Sequence, residues 1–140
     1  MKRMVWIDTN IIIRFITADH SSMTPEVARL MKKAEDGQIR LKIPSMIIAE
    51  CCWVLQSNPY RFSPSDIAGV LTAFIAADGV DMDEKNVILD ALDLYSRTSV
   101  DFVDAYLSAH ANANGADTVV TFNAKDFRKM KSDFKRPDEV

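Results

Sequence analysis

Short apolar segments of β-forming residues alternate with longer helical patterns along this 140-residue chain. Residues 4–7 and 118–122 predict strands buried within a parallel sheet, and weaker strand patterns occupy residues 41–43 and 79–82. Parallel strands need crossover connections, which are usually helices that cover the faces of the sheet. The sequence therefore predicts an α/β fold of three layers, α/β/α, around a mainly parallel central sheet.

Helix start signals precede several of the helical patterns. Ser63 is followed by Pro64, which combines a capping hydroxyl with a proline at the first helical position, and Thr24 precedes Pro25 in the same way. Ser45 is the predicted cap of a further helix. The predicted helices span residues 25–36, 46–56, 64–77, 84–98 and 102–114.

No linker, repeat or low-complexity stretch interrupts the sequence, so residues 1–140 are predicted to form a single domain. The apolar stretches are shorter than the roughly 18 residues that suggest a membrane span, and the N-terminus does not resemble a signal peptide. The two cysteines, Cys51 and Cys52, are adjacent and cannot join distant segments. A reducing cytoplasm is the predicted compartment.

Glu50 is the one charged residue in the apolar segment MIIAECCWVL at residues 46–55. A helix that is apolar on all sides belongs to the core, where an unpaired carboxylate is strongly disfavoured. We therefore expect Glu50 to have a partner. That partner could be a cation; the alternatives are an ion pair with an arginine or a helix face that reaches solvent.

Other acids lie where ligands bind in α/β folds, beyond the carboxyl ends of strands. Asp8 follows the first strand, where it could also cap the next helix. Asp101 and Asp104 share one face at the start of a helix, and an acid such as Asp101 in that position also complements the helix dipole. Asn123 and Asp126 follow the late strand.

If the helix that carries Glu50 packs near the first strand, these acids converge. Carboxylates held close together repel one another unless a cation lies between them. Oxygen ligands select hard cations such as Mg²⁺ or Mn²⁺, and the absence of a Cys/His spacing pattern argues against zinc. Such a centre can neutralise charge at a phosphodiester and activate water, so metal-assisted phosphate chemistry is predicted.

Four ordered segments resemble those of the PIN-domain nucleases, especially the VapC-type toxins of toxin–antitoxin pairs. They are Asp8-Thr9-Asn10 after a strand, Glu50 on an apolar helix, residues 101–105 opening a helix, and residues 121–127 after the late strand. The resemblance implies a Mg²⁺- or Mn²⁺-dependent ribonuclease that acts on RNA, is usually a homodimer, and is held inactive by an antitoxin protein.

The resemblance also implies roles for individual residues. Asp8, Glu50 and Asp104 would be the core acids that orient the metal, and Asp101 would be an auxiliary acid. Many relatives have aspartate where this chain has Asn123, so the fourth ligand position stays open between Asn123 and Asp126. The metal ligands implied in this way are Asp8, Glu50, Asp104 and Asn123 or Asp126.

Two other functions remain open at this stage. A Mg²⁺-dependent aspartyl-phosphate phosphotransfer or phosphatase domain also places an aspartate such as Asp8 after its first strand. A catalytically degenerate RNA-binding module is the second alternative, and the neutral Asn123 is the feature that supports it.

The net charge of −3 does not exclude an RNA substrate. The chain has 17 basic and 20 acidic residues, and five of the acids belong to the proposed site, so the remaining side chains carry a net charge of +2. Basic residues are concentrated in residues 125–136. This distribution is typical of a protein that binds the phosphates of RNA through bound metal ions and a local basic segment.

Overall fold

The computed structural model describes residues 2–140. Helices and short strands alternate through most of this length. In chain order the elements are β1 (Arg3–Trp6), α1 (Thr9–Thr17), α2 (Met23–Glu35), β2 (Ile39–Lys42), α3 (Ser45–Gln56), α4 (Pro64–Ala76), β3 (Val80–Asp81), α5 (Lys85–Thr98), α6 (Phe102–Ala113), β4 (Val119–Val120), α7 (Ala124–Lys129) and β5 (Phe134–Lys135), followed by a 3₁₀ turn (Pro137–Glu139).

All strand pairs described in residues 2–140 are parallel, which confirms the predicted α/β class and strand direction. The strands form two hydrogen-bonded sheets, one in the order β1-β2-β3 and one made of β4 and β5. Leu41 on β2 is opposite Val5 on β1 and Val80 on β3. Because β1 is an edge strand of its sheet, the segment after it, which contains Asp8, lies at a sheet edge.

The prediction that residues 4–7 and 118–122 are buried strands is wrong in part. Met4 and Trp6 alternate outward on β1 and are 45% and 62% exposed. Val120 is 50% exposed, and Phe122 beyond the end of β4 is 73% exposed. The physical reason is the division of the sheet: β1 has a neighbour on one side only, and β4 pairs with β5 instead of extending the larger sheet.

The hydrophobic core is formed mainly by α3, α4, α5 and α6, together with Leu41 of β2. α5 packs against α4 on one side and α6 on the other, and α3 packs against α1, α4 and α6. Ile48, Leu71 and Leu92 are completely buried at these contacts, as is Leu41 on β2. This packing places α3, which carries Glu50, between the helices that follow Asp8 and Asp101.

Local start signals were accurate for one helix and wrong for two. Ser63 caps α4 as predicted, because its Oγ accepts a hydrogen bond from the backbone N–H of Asp66 at 3.1 Å. Ser45 does not cap α3; it is the first residue of that helix, and its Oγ donates to Glu84 instead. Thr24 lies inside α2, where its Oγ1 accepts from the backbone N–H of His20.

The described residues, 2–140, contain no helix that is both long and apolar enough to cross a membrane. Cys51 and Cys52 are free thiols in the core, 0% and 2% exposed. Burial and, to a smaller extent, the nearby Glu50 charge raise the pKa of the Cys51 thiol to about 12. Both cysteines therefore act as packing residues, as expected from their position on an apolar helix.

Replacing Ser63 with alanine is expected to lower the free energy of unfolding by about 1 kcal/mol, because it removes the side-chain acceptor for an N–H group at the start of α4. Urea denaturation measures the change. Ser65→Ala is the matched control, since Ser65 is an exposed residue in the same turn without a capping role. Equal losses in the two variants would contradict the assignment of the cap.

Candidate metal centre

The α3 helix exposes one face, contrary to the prediction that it is a core helix on all sides. Met46 and Trp53 are 81% and 73% exposed, and Glu50 between them is exposed as well. These three residues follow one another at spacings of four and three, which places them on one helical face. Glu50 therefore lies on a helix face that reaches solvent, and its role as a cation ligand remains a prediction. Its carboxylate is accessible to a ligand.

Asp101 occupies the N-cap position of α6, yet its side chain makes no capping hydrogen bond. Its backbone carbonyl accepts from the N–H of Ala105, so the helix begins normally without the carboxylate. Asp101 also raises the pKa of the nearby Cys52 thiol and Tyr95 hydroxyl, after the larger effect of burial on each. The Asp101 carboxylate is therefore free for another role beside the start of α6.

Asp104 is half-buried in the first turn of α6. Burial raises the pKa of its carboxyl group, and the negative charges of Asp101 and Asp126 raise it further. The side chain of Asn123 acts in the opposite direction as a hydrogen-bond partner. The Asp104 carboxylate is thus repelled by two neighbouring acids, and a bound cation would offset that repulsion.

Asn123 and Asp126 are joined by two hydrogen bonds at the start of α7. The Asn123 Oδ1 accepts from the backbone N–H of Asp126 at 3.2 Å, and its Nδ2 donates to the Asp126 Oδ2 at 2.9 Å. The backbone N–H of Asn123 donates to the Oγ1 of Thr121 at 2.9 Å. The two candidates for the fourth ligand position are therefore one connected unit.

Asp8 caps α1, the second role that its sequence position predicted. Its Oδ1 accepts a hydrogen bond from the backbone N–H of Ile11 at 3.3 Å. The next residue, Thr9, is 6% exposed, and its Oγ1 has no hydrogen-bond partner within residues 2–140. A buried hydroxyl without a partner is unusual in proteins and marks the turn after β1 as a place where a polar ligand would be accommodated.

The structure brings some of the candidate residues together and leaves others apart. Asp101, Asn123 and Asp126 lie near enough to Asp104 to shift its pKa, and Glu50 lines a cleft of about 380 Å³ with Asp101. The hydrogen bond that the Asp8 carboxylate accepts comes from its own helix, α1. Across residues 2–140, no three His, Cys, Asp or Glu side chains are arranged closely enough to enclose a metal ion.

The chemistry of the candidate residues nevertheless fits a hard divalent cation. Every candidate ligand offers oxygen, from carboxylates or from the Asn123 amide, and this donor type selects Mg²⁺ or Mn²⁺ over zinc. Burial is the main cause of the raised pKa of Asp104, and the charges of Asp101 and Asp126 add a repulsion that bound positive charge would offset.

Trp53 and Gln56 line the same cleft as Glu50 and Asp101, although neither was predicted as a site residue from the sequence. The signal that could have identified Trp53 is the spacing of Met46, Glu50 and Trp53. A charged residue within a helical stripe marks the face that reaches solvent, and a large aromatic residue on that face is then exposed.

Comparisons with known proteins identify the family of the chain. The PIN domain family model matches residues 5–132, a span that contains every candidate site residue. A VapC ribonuclease from Aquifex aeolicus (strain VF5) is 24% identical over 127 residues, which cover 91% of this chain and 92% of that relative. The match to the family model extends over nearly the whole chain, and the α/β architecture with parallel strands is consistent with it. The chain belongs to the PIN domain family.

Proposed function

We propose that this chain is a metal-dependent endoribonuclease that hydrolyses phosphodiester bonds in RNA, and that residues 1–140 act as a single nuclease domain. The observation that carries the proposal is the half-buried Asp104 beside Asp101 and Asp126 in a chain of the PIN domain family. The similarity to a VapC ribonuclease supports RNA as the substrate. A cluster of acids that favours a divalent cation suits hydrolysis at a phosphate group.

Asp8, Glu50 and Asp104 would hold the cation, with Asn123 or Asp126 as a further ligand. When bound, Mg²⁺ or Mn²⁺ supplies positive charge and Lewis acidity at the phosphodiester. The exposed carboxylate of Asp101, which is not used to cap α6, is available to orient the attacking water and to accept its proton. Hydrogen bonds hold Asn123 and Asp126 in fixed relation, so this unit presents its remaining oxygen atoms from a constant position.

The basic segment of residues 125–136 supports RNA as the substrate. Arg128, Lys129 and Lys131 are exposed directly after Asp126, and the Arg136 guanidinium lies 5.3 Å from the centre of the exposed Phe122 ring. Positive side chains beside an acidic metal centre attract the phosphates that flank the scissile bond.

The same proposal includes the partners and compartment of VapC-type toxins, to which the chain is similar in sequence. It would act in the cytoplasm as a homodimer, and an antitoxin protein would hold it inactive. The two buried free thiols are compatible with a reducing compartment. Light scattering on the purified chain tests the dimer, and loss of cleavage on co-purification with the protein encoded beside it tests the antitoxin.

Purified chain incubated with single-stranded RNA is expected to cleave internal phosphodiester bonds with Mg²⁺ or Mn²⁺ and to be inactive in EDTA, because the acids alone cannot neutralise the phosphate. Gel electrophoresis of end-labelled RNA measures the products. RNA binding without cleavage under both metals would favour the degenerate binding module. A stable adduct on Asp8 after incubation with acetyl phosphate would favour the phosphotransfer alternative.

A further inference from the structure

A cleft between α3 and the start of α6 combines an exposed aromatic ring with two of the candidate acids. It has a volume of about 380 Å³, within the range of small-molecule sites. Trp53 and Gln56 line it together with Glu50 and Asp101, and its apolar lining comes from Met46, Ala49, Cys52, Phe102 and Val103. The cleft therefore offers a stacking surface and apolar walls directly beside the proposed metal centre.

Trp53 differs in its environment from Trp6, the other tryptophan of the chain. The Trp6 ring is covered by the Lys42 ammonium group at 5.1 Å from its centre. For Trp53, which is 73% exposed, neither a cation nor another aromatic ring covers the indole within residues 2–140. Exposing a large apolar ring is unfavourable in water, and covering it with another flat ring removes that cost.

Gln56, one turn after Cys52 on α3, adds a fixed polar group to the cleft. The hydroxyl of Tyr95 donates to its Oε1 at 3.0 Å, and Tyr95 is 1% exposed. Burial raises the pKa of the Tyr95 hydroxyl, so it remains a protonated donor at neutral pH. With Oε1 fixed in this way, the Nε2 amino group is the part of Gln56 that is left to donate to a ligand.

We propose that this cleft binds an unpaired nucleobase of the RNA, next to the scissile phosphate, with Trp53 as the stacking platform and Gln56 as a hydrogen-bond donor to the base edge. The inference rests on the proposed ribonuclease function and adds to it a subsite that selects single-stranded RNA. Unpaired bases are recognised by stacking on aromatic side chains and by contacts to their edges, whereas the bases of a duplex already stack on each other.

The charges of the cleft favour a base over a phosphate as its occupant. The carboxylates of Glu50 and Asp101 both line it, so an isolated phosphate would be repelled. A neutral, flat nucleobase tolerates these carboxylates and covers Trp53. It also brings the adjoining phosphate towards the acids, where a cation would lie.

Trp53 fluorescence reports binding to the cleft independently of cleavage. The chain has two tryptophans, so Trp6→Phe leaves Trp53 as the sole emitter, and Asp104→Asn in the same chain prevents turnover. We expect a single-stranded 12-nucleotide RNA in Mg²⁺ to quench this emission, and the same RNA annealed to its complement to quench it much less. Variants of Trp53 lack the emitting ring, so their Kd is measured by the fluorescence anisotropy of end-labelled RNA. Trp53→Ala is expected to raise the Kd for the single strand about 5- to 150-fold, since stacking on one aromatic ring contributes that factor.

Trp53→Phe is the conservative control and should recover most of the affinity, while Gln56→Leu should raise the Kd by about 2- to 13-fold through loss of one hydrogen bond. Equal binding of single strand and duplex, or an unchanged Kd in Trp53→Ala, would overturn the subsite. If the Trp53 emission changes with protein concentration and does not respond to RNA, the subsite is rejected and this face is an interface between copies of the chain. Quenching without cleavage by the Trp6→Phe parent would leave the subsite intact and reject the nuclease function.

Discussion

Asp104→Asn is expected to lower the rate of metal-dependent RNA cleavage by at least about 100-fold, because removing a single charged or proton-handling group from such a centre has effects of this size. Asparagine keeps the shape of aspartate and removes its negative charge. The loss should therefore appear in cleavage at saturating RNA, measured with end-labelled substrate in Mg²⁺ and in Mn²⁺. Asp8→Asn is expected to show a loss of the same kind.

The same substitution should leave the fold intact and leave the free energy of unfolding unchanged or higher. Burial and the charges of Asp101 and Asp126 raise the pKa of Asp104 in the folded chain, so the ionised carboxylate destabilises the fold at neutral pH. A neutral isostere removes that cost. Loss of activity together with retained or increased stability is the behaviour of a residue kept for function.

Asp117→Asn is the matched control, since Asp117 is an exposed aspartate that precedes β4 and belongs to none of the proposed roles. It should cleave RNA at the parental rate. Undiminished cleavage by Asp104→Asn would reject the assigned site. Equal losses in both variants would show that the assay responds to the overall charge of the chain.

Some elements governed by neighbouring residues were predictable from the sequence, although the start signals at Thr24 and Ser45 were not accurate. The Ser63 hydroxyl and Pro64 specify the start of α4 through bonds that span three residues, and the structure contains both features where they were expected. The sequence order also predicted that Asp101 and Asp104 share the start of one helix, and they do. Their catalytic roles remain predictions.

Features that depend on packing between distant segments were not predictable. Periodicity places Trp6 and Val120 in strands, but the exposure of their outer faces depends on whether β1 and β4 extend one sheet, which local sequence does not encode. Glu50 was assigned to a core helix because the composition of α3 does not reveal which side its neighbours cover. The short α7 and β5 give too few residues for a periodic signal.

Phe127→Ala is expected to lower the free energy of unfolding by about 3–5 kcal/mol, the usual loss when a buried phenylalanine is truncated. Phe127 is 1% exposed and lies in the hydrophobic core, although it belongs to a helix of only six residues. So short a helix is not stable alone, and its position depends on this one buried ring. Urea denaturation followed by circular dichroism measures the loss, and Phe127→Leu provides a milder variant that remains folded.

Phe122→Ala is the matched control, five residues earlier and 73% exposed. This substitution removes a ring of the same size that contacts the Arg136 guanidinium. We expect it to lower the free energy of unfolding by no more than about 1 kcal/mol. Phe127→Leu should also weaken cleavage more than its stability loss alone explains, because α7 fixes Asn123 and Asp126 opposite Asp104. Full cleavage by folded Phe127→Leu would mean that the position of α7 does not control the metal centre.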